Sequence, residues 1–256
     1  MTELPARLAV LADVHGNLPA LDAVLADAAS AGVDRVVVLG DLVSGPLWPA
    51  ETAARLAALG LPTLAGNHER QVLADDRAAM SPSDRFAAER LDAPARRYLA
   101  ALPAALRLGD VYLCHGAPGD DLTMWLETVD PAAPLGVRAA TAAEVAARPA
   151  PPPGVTLALC GHSHVPRLVA AGALTIVNPG SVGLPAWCDP ATADAPAHGV
   201  EAGSPHARYA VVERAAGGWH VAHRAVRYAW DAAAARAAAG GRPDWAHALA
   251  TGRNPA

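Results

Sequence analysis

The strongest constraint on this chain is an arrangement that occurs five times: a short apolar run ends and a cluster of histidine, aspartate or asparagine begins. Residues 8–12 lead into Asp13-Val14-His15-Gly16-Asn17, 36–39 into Gly40-Asp41, and 62–65 into Gly66-Asn67-His68-Glu69. Further on, 111–114 lead into His115-Gly116 and 155–160 into Gly161-His162-Ser163-His164. Short apolar runs bounded by glycine and polar residues read as buried strands. Strand ends are where a rigid sheet can aim side chains from distant parts of a chain at one point. The fold is therefore expected to be one that gathers several strand ends.

Between these runs the pattern alternates. Residues 18–31 carry apolar side chains at helical spacing, 51–59 form a second helix, and 62–65 a third short strand, as in an α/β sheet. Residues 69–101 read as mainly helical, restarted at Ser81-Pro82 and Pro94 because proline is tolerated in a first turn. Gly109-Asp110 between 107–108 and 111–114 is a hairpin signal. A helix is expected around 140–147 and a proline-rich spacer at 149–153, followed by strands at 155–160, 167–170, 174–177, 209–213 and 219–226. The tail from 231 returns to alanine-rich helix, interrupted at Gly240-Gly241. No repeat or composition break divides the chain, so residues 1–256 are read as a single domain of α+β class, two mixed sheets packed as a sandwich with flanking helices.

Composition narrows the function. A formal charge of −5 offers no broad basic footprint for nucleic acid or an anionic membrane. All 20 basic residues are arginine, which is read as compositional bias of the source. Three cysteines without C-x-x-C spacing indicate neither a disulfide framework nor a zinc-thiolate site. The first apolar run stops at Asp13, and no segment reaches the length of a membrane span, so a cytoplasmic protein is expected.

The polar clusters point to metal chemistry. In Asp13-x-His15 and His162-x-His164, spacing by two in an extended segment puts both side chains on one face, able to hold one metal or to straddle two. Imidazole, carboxylate and one amide oxygen suit borderline or hard divalent ions, with Mn foremost and Fe, Zn, Ni or Co as alternatives. Two such ions about 3.5–4 Å apart can clamp a phosphoryl group and generate a hydroxide nucleophile, and a carboxylate between them, assigned to Asp41, lowers their repulsion.

The five clusters, D-x-H, G-D, G-N-H-[DE], H and G-H-x-H in that order from Asp13 to His164, resemble the calcineurin-like metallophosphoesterase superfamily. The following Asn178-Pro179-Gly180-Ser181-Val182-Gly183 resembles a signature of its compact bacterial branch, the YfcE-type phosphodiesterases, and residues 228–250 resemble the tail of that branch's longer members. The resemblance implies a four-layer α/β/β/α fold and hydrolysis of small-molecule or nucleotide phosphoesters at a dinuclear centre with a bridging hydroxide. It implies Asp13, His15, Asp41 and His164 around one metal, and Asp41, Asn67, His115 and His162 around the other. His68 is then the catalytic side chain, free of metal and facing the substrate, where it protonates the leaving alkoxide or stabilises phosphoryl charge.

Glu69, where many members have aspartate, also occurs in the superfamily's Ser/Thr protein phosphatases. Those carry an arginine soon after the second motif and lack the second histidine of G-H-x-H; here Gly40-Asp41-Leu42-Val43-Ser44-Gly45-Pro46 has no arginine and His164 is present. Protein phosphatase therefore ranks below small-molecule phosphoesterase, and a non-catalytic metal-binding scaffold is the other alternative. Asn17, Glu69, Arg70, Asn178 and Ser181 are candidates for substrate contact or for bracing the site. His198, His206, His220, His223 and His247 match no motif. Loops 117–135 and 185–205 are candidate lids, carrying Met124, Trp125, Leu126 and Trp187, His198 respectively.

Overall fold

In a computed structural model, which describes residues 6–74, 76–193 and 195–255, the apolar runs become strands and the polar clusters become the loops after them. The first half alternates β1 (Arg7–Leu11), α1 (Leu18–Ser30), β2 (Arg35–Val38) and α2 (Pro49–Leu59), then runs through helices α3 (Asn67–Leu73), α4 (Pro82–Ala88) and α5 (Ala93–Ala100). Strands β3 (Ala105–Leu108) and β4 (Val111–Cys114) form the hairpin expected at Gly109-Asp110. Next come β5 (Glu127–Val129), β6 (Val137–Ala139), α6 (Ala142–Ala147), β7 (Leu157–Leu159), β8 (Arg167–Ala171) and β9 (Leu174–Asn178). The remainder is β10 (Ala186–Asp189), β11 (His198–Glu201), β12 (Ala207–Ala215), β13 (Gly218–Val226), α7 (Trp230–Ala239) and α8 (Pro243–Thr251).

Two mixed sheets result, in the orders β13-β12-β1-β2 and β3-β4-β7-β9-β8. Alternation along β1 shows how they are layered. Leu8 and Val10 point into a cluster shared with Leu113, Leu159 and Val177 of the second sheet, while Ala9 and Leu11 pack with Leu21 and Val24 of α1 and with Ala233 and Ala237 of α7. On the far side of the second sheet, Ala158 and Ile176 pack with Trp125, Leu126 and Val145 of α6. The fold is therefore α+β, two packed sheets with helices outside.

Three local expectations change. Residues 62–65 make only an isolated parallel bridge, Val38 with Thr63; Pro62 has no N–H to give and the Ala65 amide turns away to the Pro103 carbonyl, so pairing goes no further. The 117–135 loop contributes β5, which pairs with β6 just beyond the loop, and the 185–205 loop contains the β10–β11 ribbon. These were hidden because His198-Gly199-Val200-Glu201 has no alternation, and its pairing depends on Gly199, where a Cβ would lie 2.4 Å from the Trp187 carbonyl oxygen.

The sheets position the site through strand direction. β1 and β2 are parallel, as are β4, β7 and β9, and Asp13, Asp41, His115, His162 and Ser181 all follow the C-terminal ends of these strands. Crevices beyond the carboxyl ends of parallel strands are where α/β folds bind ligands.

Candidate metal centre

The loops reach their positions through left-handed backbone. Six described non-glycine residues have positive φ, and five are Asp13 (57°), His15 (50°), Asp41 (54°), His162 (67°) and His164 (65°). This corrects the extended-segment expectation for the two x-spaced pairs: each pair turns sharply rather than running along a strand. Such conformations cost roughly 1–2 kcal/mol per residue and persist only where the surroundings over-determine them. Here the surroundings are hydrogen bonds between loops. The amides of Asp13, His15 and Gly16 donate to the carbonyls of Gly40, Asp41 and Leu42, and the Gly161 amide donates to the His115 carbonyl. Gly66 permits a close approach, since a Cβ there would sit 2.3 Å from Asp41 Oδ1.

The donors fall into two groups, each with its ligand atoms within 4.8 Å of one another: Asp13, His15 and His164; and Asp41, His115 and His162. Asn67 Oδ1 lies 3.1 Å from His115 Nε2, which is also 3.1 Å from Asp41 Oδ2. The D-x-H pair thus serves one group, while the H-x-H pair is split between both. The resemblance implies Asp41 in both sets and Asn67 in the second; the grouped donors hold Asp41 with His115 and His162.

Each imidazole is oriented by a backbone carbonyl. Nδ1 of His15, His115 and His164 lies 2.8, 2.7 and 2.9 Å from the carbonyl oxygens of Ser44, Leu39 and Leu184, so Nδ1 donates; in His15 and His164 Nε2 is left as the lone-pair nitrogen, while Nε2 of His115 faces Asp41 Oδ2 and Asn67 Oδ1. His162 is reversed: Nε2 lies 2.9 Å from the Leu122 carbonyl, leaving Nδ1 for the site. As a result, two lone-pair nitrogens, Nε2 of His15 and Nε2 of His164, face each other across 3.1 Å. Between neutral rings this contact is repulsive unless a cation sits between them. Asp13 Oδ2, fully buried, has no hydrogen-bond partner, a costly state for a carboxylate oxygen. Facing lone pairs and an orphaned carboxylate oxygen fit a divalent metal.

The electrostatics agree. Burial, against the pull of Asp41, pushes His15 down to about 4; burial together with the His115 charge pushes His162 down to about 4; and burial with the neighbouring His15 pushes His164 well below its usual value, so these rings are neutral and ready to ligate. Burial and the nearby Asp41 charge push Asp13 up to about 8 despite the attraction of His115. Burial opposes protonation of His115, but the charge and hydrogen bond of Asp41 override it and push it up to about 10.

Among the bracing candidates, Glu69 is fully buried, and its carboxylate accepts from the amides of Asp41, Leu42 and Gly66, each at 2.8 Å. It ties the second and third clusters together and does not face the cavity. Asn178 Nδ2 donates to the Gly161 carbonyl (2.7 Å) and to Ser163 Oγ (3.0 Å), and Ser181 Oγ donates to the Asp13 carbonyl (2.9 Å). Asn17 caps α1 through Oδ1 and donates from Nδ2 to the Gly183 carbonyl and to Tyr228 Oη. Arg70 forms a two-pronged pair with Asp121 (2.9 and 2.7 Å) instead of pointing at the metal-donor groups.

His68 does not belong to either donor group. It lines a cavity of about 990 Å³ together with His15, Asp41, Asn67, His162 and His164. Its Nδ1 lies 2.7 Å from Oδ1 of the buried Asp84, which also accepts from Ser81 Oγ at 2.6 Å. Burial disfavours the charged ring, but Asp41 and the Asp84 hydrogen bond outweigh it and push His68 up to about 9. Sequence reasoning missed Asp84; Ser81-Pro82-Ser83-Asp84 carries only the signal of a helix cap, because Ser81 is the N-cap of α4. The same reasoning missed the carbonyls of Ser44, Leu122 and Leu184, which no side-chain motif can reveal.

The calcineurin-like phosphoesterase superfamily domain model matches residues 7–195. The chain is similar to the crystal structure of a metallophosphoesterase from Sphaerobacter thermophilus, at 26% identity and TM-score 0.72 over 97% of this chain and 99% of that one. A hypothetical protein from Pyrococcus horikoshii, PH1004, shares the fold at 20% identity and TM-score 0.70 over 97% and 99% of the two chains. In sequence, the uncharacterized protein MJ0912 of Methanocaldococcus jannaschii is 38% identical over 66 residues, which span 26% of this chain and 27% of that protein. With the domain match covering every clustered donor from Asp13 to His164, this chain belongs to the calcineurin-like phosphoesterase superfamily.

Proposed function

We propose that the chain hydrolyses phosphoester bonds of small molecules or nucleotides, as a phosphodiesterase or phosphatase, with two divalent cations, manganese foremost, held side by side. The observation that carries this reading is the pair of adjacent donor groups opening on one cavity with His68. Asp13, His15 and His164 would hold one cation; His115, His162 and Asn67 the other, with Asp41 between. Cations so placed supply charge neutralisation for a phosphoryl group and an activated water.

The protein's own side chains do the rest. With Nδ1 committed to Asp84, whose carboxylate favours the protonated ring, His68 delivers a proton from Nε2. The buried loop network around Glu69, Asn178 and Ser181 holds the donors before substrate arrives, so little reorganisation is needed. No helix of the described residues is long and apolar enough to cross a membrane.

The test is turnover of bis(p-nitrophenyl) phosphate by protein loaded with Mn²⁺, followed by a panel of nucleotides, cyclic nucleotides and phosphorylated metabolites. Activity should vanish with chelator and return with metal. Stoichiometric metal without turnover of any substrate would reject the enzyme and favour the scaffold reading.

A further inference from the structure

The cavity is asymmetric. Two indole rings line it, each set edge-on against a histidine of the Asp13 group: Trp187 against His164 (ring centroids 6.1 Å apart, 75°) and Trp245 against His15 (5.9 Å, 75°). His68 stands on that same side, 5.4 Å from the His15 ring. The indoles are firmly based. Trp187 lies on β10, whose carbonyl at that residue accepts from Asn254 Nδ2 at 3.1 Å, and Trp245 lies in α8, which packs on β10.

The charges are equally one-sided. The chain has no lysine, and among the described residues the cavity is lined by two arginines, Arg148 and Arg242. Both are already engaged. Arg148 donates to the carbonyls of Trp125 and Glu127 and to Thr128 Oγ1, and Arg242 to the Asp244 carboxylate and Ser83 Oγ. Apart from His68, the other charged lining residues away from the donor groups are acids, with Asp76, Asp189 and Asp244 at the exposed rim. A phosphate seated on the cations beside His68 would be neutralised, whereas a second or third phosphate reaching the rim would meet carboxylates and, among the described residues, no arginine outside these hydrogen bonds.

Resting on the phosphoesterase reading above, we infer that the substrate is a phosphoester with a single phosphate and a flat aromatic arm, of the nucleoside monophosphate ester class. The arm seats against the partly exposed Trp187, and nucleoside polyphosphates are excluded. The cavity is large enough for a nucleoside, and base–indole stacking contributes binding that a methyl group cannot.

The experiment compares Mn²⁺-loaded wild type, Trp187→Ala and Trp187→Phe on three esters with the same leaving group. These are methyl p-nitrophenyl phosphate, the p-nitrophenyl ester of thymidine 5′-monophosphate, and the γ-p-nitrophenyl ester of thymidine 5′-triphosphate. Wild type should prefer the monophosphate nucleoside ester to the methyl ester by about tenfold or more in kcat/KM, mainly through KM. Trp187→Ala should lose most of that preference, Trp187→Phe should restore it, and the triphosphate ester should be the poorest of the nucleoside pair. Equal use of methyl and nucleoside esters, a preference that survives Trp187→Ala, or a faster triphosphate ester would each overturn the inference. Calorimetric binding of thymidine 5′-monophosphate against methyl phosphate separates the two levels. If nothing is hydrolysed but the nucleotide binds better through Trp187, the hydrolase reading falls and the aromatic seat stands. If neither binds preferentially, the seat falls as well.

Discussion

His68, partly exposed to the cavity, and the buried Asp84 are joined across 2.7 Å, one from the third cluster and the other from helix α4. Burial works the other way, but the hydrogen bond and charge of His68 and the hydrogen bond from Ser81 hold Asp84 below the usual carboxylate range. Removing that charge leaves the ring in place but weakens its hold on a proton. Asp84→Asn should lower kcat by about 10- to 100-fold and move the alkaline limb of the kcat–pH profile to lower pH. An unchanged limb would reduce Asp84 to a helix cap.

His68 itself lies outside both donor groups, whereas Asp41 stands beside His115 in one and its charge acts on Asp13 and His15 of the other. His68→Ala should retain both metals and lose turnover by about 10²- to 10⁴-fold. Asp41→Asn should lose or weaken both metals. Elemental analysis of the two variants decides, and equal metal loss in both would contradict the assignment.

Metal binding should release protons. In the metal-free pocket His115 keeps its proton up to about pH 10 and Asp13 up to about 8. A cation must displace both protons, so affinity should climb as pH rises through neutrality, by about tenfold per unit for each proton displaced. Calorimetry of Mn²⁺ binding in buffers of different ionisation heat measures the release directly. Heats independent of the buffer would show that these groups were already deprotonated.

Glu69 satisfies three backbone amides that have no route to solvent. Glu69→Ala would orphan all three, at about 1–3 kcal/mol each before relaxation. Urea unfolding should show a loss of about 3 kcal/mol or more, with weakened metal binding because the Asp41 loop is released. Full stability would mean that another group takes over the acceptor role.

The parts of the site that were legible in the sequence are those made by side chains at strand ends. Asp13, Asp41, His115, His162 and His164 follow apolar runs that had to be buried, so their convergence follows from the sheets. The α+β class was legible for the same reason, and with it the superfamily. What was illegible depends on pairing between distant segments. The β10–β11 ribbon is held by Asn254, 67 residues beyond Trp187, through its carbonyl and that of Val200. Asp84 reads locally as a cap and acquires its partner only when α4 docks beside α3. The ring orientations depend on main-chain oxygens that every residue type possesses.

The left-handed residues set function against foldedness. Asp13, His15, Asp41, His162 and His164 occupy a backbone basin in which glycine rests freely and a β-carbon does not. Random substitution followed by selection for heat resistance alone should accumulate glycines at these five places and abolish the donor set, while selection for metal capture should drive them back. The most heat-tolerant descendant of this chain would thus be an inert one.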